Sequence, residues 1–280
     1  MATVRKAVLM LAIFLIASAP LALAQGTYTQ IDVPGAVATN ANGIDVAGHV
    51  TGIYVDSDNR AHGFLLNAGV YATIDYPAAS FTYLFNINNR GQVVGWADSG
   101  TGFVYSIPTH EFTEIAYPGA PDTFPTAIND AGVIGGAYAL NGDRLGFALT
   151  GSTYRHIGVN GSLYSWVMGV SGSSEFVGPM NDTNFIFSQG KYQVLNFKDL
   201  TSAVVTGIRP DDKAIVGYYY PAIGFLYQEG TVTTLQFPES SGTYPSSIND
   251  SGKVVGFFFD AEGNQHGFTW TPPADDRNHK

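Results

Sequence analysis

The stretch that decides the fold is Ile248-Asn249-Asp250-Ser251-Gly252-Lys253-Val254-Val255-Gly256, followed ten residues on by His266-Gly267-Phe268. Asn-Asp-Ser-Gly between two apolar runs reads as a hairpin turn, because Asn and Gly accept the positive φ such turns demand. The run after the turn, Val254 to Phe259, does not alternate polar with apolar residues. A strand with one wet face would alternate, so this strand is expected to be buried on both faces. The same words recur along the chain, as Asn88-Asn89-Arg90-Gly91 and Asn129-Asp130-Ala131-Gly132 for the turn, and as Gly63-Phe64, Gly102-Phe103, Gly146-Phe147 and Gly224-Phe225 for the following step.

Two landmarks fix the period. An apolar residue ends a short strand at Ile31, Ile74, Ile115, Ile157, Leu195 and Leu235, and a second stands 13 residues later at Ile44, Ile87, Ile128, Val170, Ile208 and Ile248. Both sets are spaced 43, 41, 42, 38 and 40 residues apart, so every length change falls outside the stretch between them. A Pro follows the first landmark by three at Pro34, Pro77, Pro118 and Pro238. A Gly follows the second by eight at Gly52, Gly95, Gly136, Gly178 and Gly256, and by nine at Gly217. The variable loop lies just before Gly-Phe.

Each unit of ~40 residues holds four strand-like runs, called a (ending at Ile44 and its equivalents), b (the Val-Gly run), c (Gly-Phe) and d (ending at Ile74 and its equivalents). Six such units predict an all-β fold, a six-bladed β-propeller of four-stranded antiparallel blades. The chain opens with d at Thr27 to Ile31 and closes with c at Gly267 to Trp270. The N-terminal strand is therefore expected to pair into the last blade, which closes the ring and removes its edges. The Gly within each b run is expected to let neighbouring backbone approach closely.

With Ile-Asn-Asp-x-Gly-x-Val-Val-Gly at Ile248 to Gly256 and His-Gly-Phe at His266 to Phe268, the chain resembles the HAF-repeat family of bacterial extracellular proteins. The resemblance spans Thr27 to Trp270 and is strong in units one, two, three and six. It weakens at Val170 to Phe185, where Ser171-Gly172 replaces Asn-Asp and Asn184-Phe185 replaces Gly-Phe, and in unit five, with Arg209-Pro210-Asp211 in its turn. The resemblance implies secretion and a repeat β fold, and it carries no catalytic assignment.

Residues 1–24 read as a secretory signal: Arg5 and Lys6, an apolar run from Ala7 to Ala17, and Ala22-Leu23-Ala24 before Gln25. The apolar run is shorter than the ~20 residues a membrane span needs. Residues 25–271 are expected to form a single propeller domain and 272–280 a polar tail, with the exported protein free in the periplasm or outside the cell and not inserted in a membrane. Beyond the signal, 11 Lys and Arg stand against 23 Asp and Glu, which offers no basic face for nucleic acid. There is no cysteine, hence no disulfide, thiolate metal site or thiol nucleophile.

The chain has no His-Glu-x-x-His, no Gly-x-Ser-x-Gly and no phosphate-binding Gly-rich loop. Ser188-Gln189-Gly190-Lys191 matches a serine–lysine spacing but falls in a c–d turn. Asp56-Ser57-Asp58-Asn59 begins like a calcium loop, yet Ala61 stands where the sharp-turn Gly belongs and Asn67 where the bidentate acid belongs. No cofactor is expected, calcium at this loop being the one ion weighed. His62 and His266 share one repeat position and are expected to pack beside the Gly-Phe step rather than bind metal; His49, His110, His156 and His279 show no ligand spacing.

The d–a and b–c loops share one end of the ring and carry acids and aromatics. Asp56, Asp58, Asp98, Asp122, Tyr83, Trp166, Tyr244 and Asp260 are the candidate ligand-binding residues there. The expected function is a secreted, non-enzymatic binding or interaction module for a glycan or a protein. The alternatives are a propeller hydrolase or lyase with its site at the channel mouth, and a structural protein of the cell surface or matrix. A fold does not choose among these.

Overall fold

The computed structural model describes residues 26–159, 161–197 and 199–273. Of residues 1–25 it describes only Ile13–Ile16 and Ala22–Leu23, whose backbones run parallel beside Lys191–Phe197 and Thr231–Leu235. The rest of the expected export signal, and the tail from 274, lie outside the described residues.

The chain forms a six-bladed propeller in which a, b, c and d pair antiparallel in sequence order. Blade one, for example, is Ala38–Ile44, Val50–Val55, Ala61–Asn67 and Val70–Ile74. Blade six takes Gly242–Ile248, Val254–Phe259 and Gln265–Thr271 from the end of the chain and Thr27–Ile31 from its beginning. The last pairing runs from Gly267 opposite Ile31 to Thr271 opposite Thr27, so the N-terminal strand closes the ring as expected. Among the described residues there is no helix long and apolar enough to cross a membrane.

The repeated letters make the frame. The six c-strand phenylalanines, Phe64, Phe103, Phe147, Phe185, Phe225 and Phe268, are all fully buried. Each b-strand glycine faces the backbone of its own strand a: a Cβ on Gly256 would collide with the Tyr244 carbonyl and come within 2.9 Å of the Phe268 ring. The glycine is required there because a strand bends toward it. In five blades strand a carries a bulge, between Ala41 and Gly43, Leu84 and Ile87, Pro125 and Ala127, Val205 and Gly207, and Pro245 and Ser247.

The Asn of Ile-Asn-Asp-x-Gly ties one blade to the next. Asn249 Oδ1 accepts from the Ser251 and Lys253 amides of its own turn, while Nδ2 donates to the Asp45 carbonyl of blade one at 2.8 Å. Asn88 donates likewise to the Asn129 carbonyl, and Asn129 to that of Ser171. The following residue adds a second link: the Val46 amide donates to Asn89 Oδ1, and the Asn89 amide to Asp130 Oδ1. Unit one carries Asp45 instead, which lacks the donor and pairs within its own turn with His49.

Candidate functional site

Strand a is innermost, and its side chains alternate across the sheet. Three residues before the second landmark the side chain points into the blade: Ala41, Leu84, Val167 and Val205 are fully buried. The neighbours two residues before it line the channel instead, with Asn40, Trp166, Val204 and Tyr244 among those four before it. The bulge residue is the one two before the landmark, and a bulge re-aims a side chain. Asn42, Phe85, Thr126, Met168, Thr206 and Ser246 stand there, and all six line one cavity.

That cavity holds about 400 Å³, within the range typical of small-molecule sites. Because its walls come from positions upstream of the landmark, it lies toward the d–a and b–c end of the ring. Toward the other end the channel narrows to a space of about 70 Å³ ringed by Ile44, Ile87, Ile128, Val170, Ile208 and Ile248. The second landmark is thus the floor of the channel, and the cavity is a cup standing on it.

The lining has a definite chemistry. Amides come from Asn40, Asn42 and Asn86; aromatic rings come from Phe85, Tyr164, Trp166, Tyr218, Tyr244 and Phe257. No Asp, Glu, Lys, Arg or His is among the residues that line it. Tyr244 stacks on Phe257 at 4.7 Å between centroids and meets Tyr218 edge-on at 5.0 Å. Burial first, then the neighbouring phenols of Tyr244 and Tyr164, pushes the Tyr218 hydroxyl above its ordinary pKa, so it stays un-ionised. Trp166 donates from Nε1 to Thr126 Oγ1 at 3.2 Å. Behind it the Arg144 guanidinium sits between the Trp166 and Phe124 rings, at 4.8 and 4.7 Å. Asn40 Oδ1 is buried and has no hydrogen-bond partner.

Of the candidate residues, Trp166 and Tyr244 line the cup. Tyr83 lies on strand a of blade two against Trp96, at 5.6 Å. Tyr83, Phe124 and Tyr244 belong to strand a itself rather than to the d–a loops. The acids are placed elsewhere. Asp56 accepts from the Asp58 and Arg60 amides of its own hairpin, both at 2.9 Å. Asp260 accepts from the Asn264 amide and side chain at 2.7 and 2.8 Å. Asp98 accepts from the Ser80 amide, Asp122 opens strand a of blade three, and Asp58 is exposed in its loop.

The two repeat histidines each bridge two loops of one blade. His62 Nδ1 lies 2.7 Å from Asp75 and Nε2 3.1 Å from Asp56. His266 Nδ1 lies 2.8 Å from Asp32 and Nε2 3.2 Å from Asp260. They also stack on Tyr54 and Phe258, which places them beside the b strand rather than at the Gly-Phe step alone. Burial opposes the charge on each ring, but the paired carboxylates outweigh it and raise both histidines above their ordinary pKa. The Arg60 amide and then His62 hold Asp56 below the usual carboxylate range; Asn264 and then His266 hold Asp260 down to about 2. The carboxylates flank each imidazole on opposite edges. Among the described residues no cluster of three or more His, Asp or Glu is arranged to hold a metal ion.

No family model matches the chain, and no curated protein matches it. Solved structures do. An oligogalacturonate lyase from Vibrio parahaemolyticus superposes with a TM-score of 0.55 over 90% of this chain and 99% of its own, at 8% identity. A protein from Agrobacterium tumefaciens taken to be TolB gives 0.54 over 69% and 75%, at 15% identity. YCF48, solved bound to D1 peptide, gives 0.51 over 90% and 97%, at 13% identity. At such identities the likeness is one of fold: the chain is a β-propeller.

Proposed function

We propose that this chain is an exported, non-enzymatic binding propeller of the HAF-repeat kind, and that its ligand is held in the cup at the channel mouth. Residues 1–24 leave as the export signal in this reading, and residues 25–271 act as one propeller domain. The observation that carries it is the lining: aromatic faces and amides with no carboxylate, imidazole or basic side chain. General acid–base catalysis needs a titratable side chain within hydrogen-bond reach of the reacting atoms. A hydrolase or lyase at this mouth would have only the Tyr164, Tyr218 and Tyr244 phenols, and burial pushes the Tyr218 phenol further from proton exchange near neutral pH, so the enzyme reading is the weaker one. No cofactor is needed for such binding. Trp166 and Tyr244 contact the ligand, Tyr83 supports the wall, and Asp56, Asp58, Asp98, Asp122 and Asp260 shape the rim. The neighbours fit either kind of partner, since one was solved with a peptide and another is named for an oligosaccharide.

The test is retention of the full chain on insoluble polysaccharides and cell-wall material, with and without calcium, beside its Trp166→Ala form. Retention that the substitution abolishes supports a binding module with its site at the mouth. No retention in either condition, together with self-association on sizing chromatography, would favour the structural-protein reading and sink this one.

A further inference from the structure

We infer that the ligand of the cup is an uncharged carbohydrate, bound through one or two sugar rings; this rests on the binding reading above. Three kinds of ligand are disfavoured by the walls themselves. A charged group would lose its water and meet no counter-charge among the lining residues. That applies to phosphates, uronates and the free termini of peptides. A wholly apolar ligand would bury the Asn42 and Asn86 side-chain oxygens and the Ser246 hydroxyl against carbon; the two amide nitrogens already donate to the Leu84 carbonyl and Ser247 Oγ. An extended peptide pairs with a sheet edge or lies along a groove. Here the outer edges of the sheets lie away from the channel, and the site is a cup between the inner segments of the blades rather than a groove.

A neutral sugar ring meets each requirement. It has apolar C–H faces for Trp166 and for the Tyr244–Phe257 stack, and hydroxyls for the amides on the opposite wall. Asn40 supplies the most specific mark. Its buried Oδ1 has no partner in the protein, and a buried acceptor left open calls for an explanation. That oxygen is closed to solvent, so a ligand hydroxyl donates to it when the Asn40 side chain turns into the cup. Tyr164, Tyr218 and Tyr244, from blades four, five and six, line the cup together with Asn40, Asn42 and Asn86, from blades one and two. Hydrogen-bonding groups thus stand on both sides of the cup, which suits a ring bearing hydroxyls around its whole edge.

The experiment is a printed array of neutral and acidic glycans probed with the full chain expressed with its own leader, followed by titration calorimetry with the best neutral oligosaccharide and with oligogalacturonate. The variants are Trp166→Ala and Asn40→Leu, each with its melting temperature. The expected result is binding of a neutral glycan, weakened about tenfold or more by either variant. Asn40→Leu should leave the melting temperature unchanged or higher, because it removes an unpaired buried oxygen; a merely structural asparagine would lower it. Tighter binding of oligogalacturonate, no neutral glycan bound, or binding indifferent to both variants would overturn the inference. If glycans fail but retention of cell-wall material still depends on Trp166, the inference falls and the binding reading stands. If nothing depends on Trp166, both fall.

Discussion

Replacing Asn249 by Ala tests whether the repeated asparagine joins the blades. The side chain is 3% exposed and makes four hydrogen bonds: Oδ1 accepts from the Ser251 amide, the Ser251 hydroxyl and the Lys253 amide, and Nδ2 donates to the Asp45 carbonyl. At roughly 1 kcal/mol net each, the upper figure is about 4 kcal/mol. Water can reach the turn, since Ser251 is exposed and Lys253 half-buried, so part of that is recovered. Asp45 is 4% exposed, and its carbonyl is left without its partner. The expected loss is therefore about 2–3 kcal/mol, or roughly 4–12 °C in melting temperature for a domain of this size. Differential scanning calorimetry at neutral pH measures it. Asn88→Ala and Asn129→Ala should behave alike, and the Asn88→Ala, Asn249→Ala double variant should be additive to within about 0.5 kcal/mol, because the two act at separate seams. A fall of less than about 2 °C in all three single variants would refute the reasoning.

Deleting residues 25–34 while keeping the leader removes the strand that completes blade six and exposes the edge of Gln265–Thr271; the buried Ile31 and Val33 alone make the expected fall on the order of 10 °C, with oligomers on sizing chromatography. An unchanged melt would mean that closure does not depend on that strand. His62 and His266 have folded pKa values above the ordinary 6.5, so their contribution is full below 6.5 and is lost as pH rises through the raised values. Melting temperature should therefore fall across that window in the parent and less in a His62→Gln, His266→Gln double variant; parallel curves would count against it. Asp260 runs the other way: its contribution is present above 3.8 and is lost as pH falls toward about 2, a loss that Asp260→Asn removes from acid-unfolding curves. Gly256→Ala drives a Cβ into the Tyr244 carbonyl and the Phe268 ring and should cost about 2 kcal/mol or more by urea unfolding, whereas a Gly263→Ala change meets no neighbour and is limited to its positive φ. Arg144→Ala should weaken ligand binding severalfold through a loosened Trp166 while shifting the melt little; an unchanged dissociation constant would show that the guanidinium does not brace the ring.

The frame was legible because its letters repeat. Ile248, Gly256 and Phe268 each do one job that returns every ~40 residues, and Asn249 shares its job with Asn88 and Asn129, so the period exposes them. Ring closure was legible for the same reason, as a d strand at Thr27–Ile31 with no a strand before it. The channel wall was not. Four residues before the second landmark stand Asn40, Tyr83, Phe124, Trp166, Val204 and Tyr244, which follow no common pattern, and only Asn40, Trp166, Val204 and Tyr244 of these line the cup. Their direction also depends on the bulge, and one inserted residue changes which face the side chains take. Counting four and two back from each landmark would have found Asn40, Asn42 and Phe85; Tyr218 and Phe257 stand one residue after their b-strand Gly. The rim acids misled in the opposite way. Asp56 and Asp260 are visible as letters, but the amides and histidines that occupy their oxygens are visible only once the hairpins are folded.

The positions that repeat face blade cores, seams and the narrow floor of the channel, and the positions that do not repeat face the cup. Such a division follows if one frame must be built six times and one ligand held once. Unit four makes the case most clearly, because it departs furthest from the pattern. Its strand a is only Gly169–Val170, and the preceding segment touches its neighbours through isolated bridges, Arg144 with Tyr164 and Ser165 with Met180. That irregular segment, held to Phe176–Met180 by the Trp166 and Met168 amides, carries Tyr164 and Trp166 into the cup, and Met168 and Pro179 of the same unit join them. The frame is mended where the pattern was lost: Asn184, which replaces the Gly of Gly-Phe, donates to the Ala203 carbonyl at 2.7 Å and accepts from the Val205 amide at 2.9 Å, tying blade four to blade five. Ser165 does the same on the other side, accepting from the Gly146 amide and donating to the Ile157 carbonyl. A unit merely decaying would lose contacts without replacing them. This one trades motif residues for seam hydrogen bonds of its own and delivers two aromatic rings to the channel, which is what a blade shaped by a ligand would be expected to do.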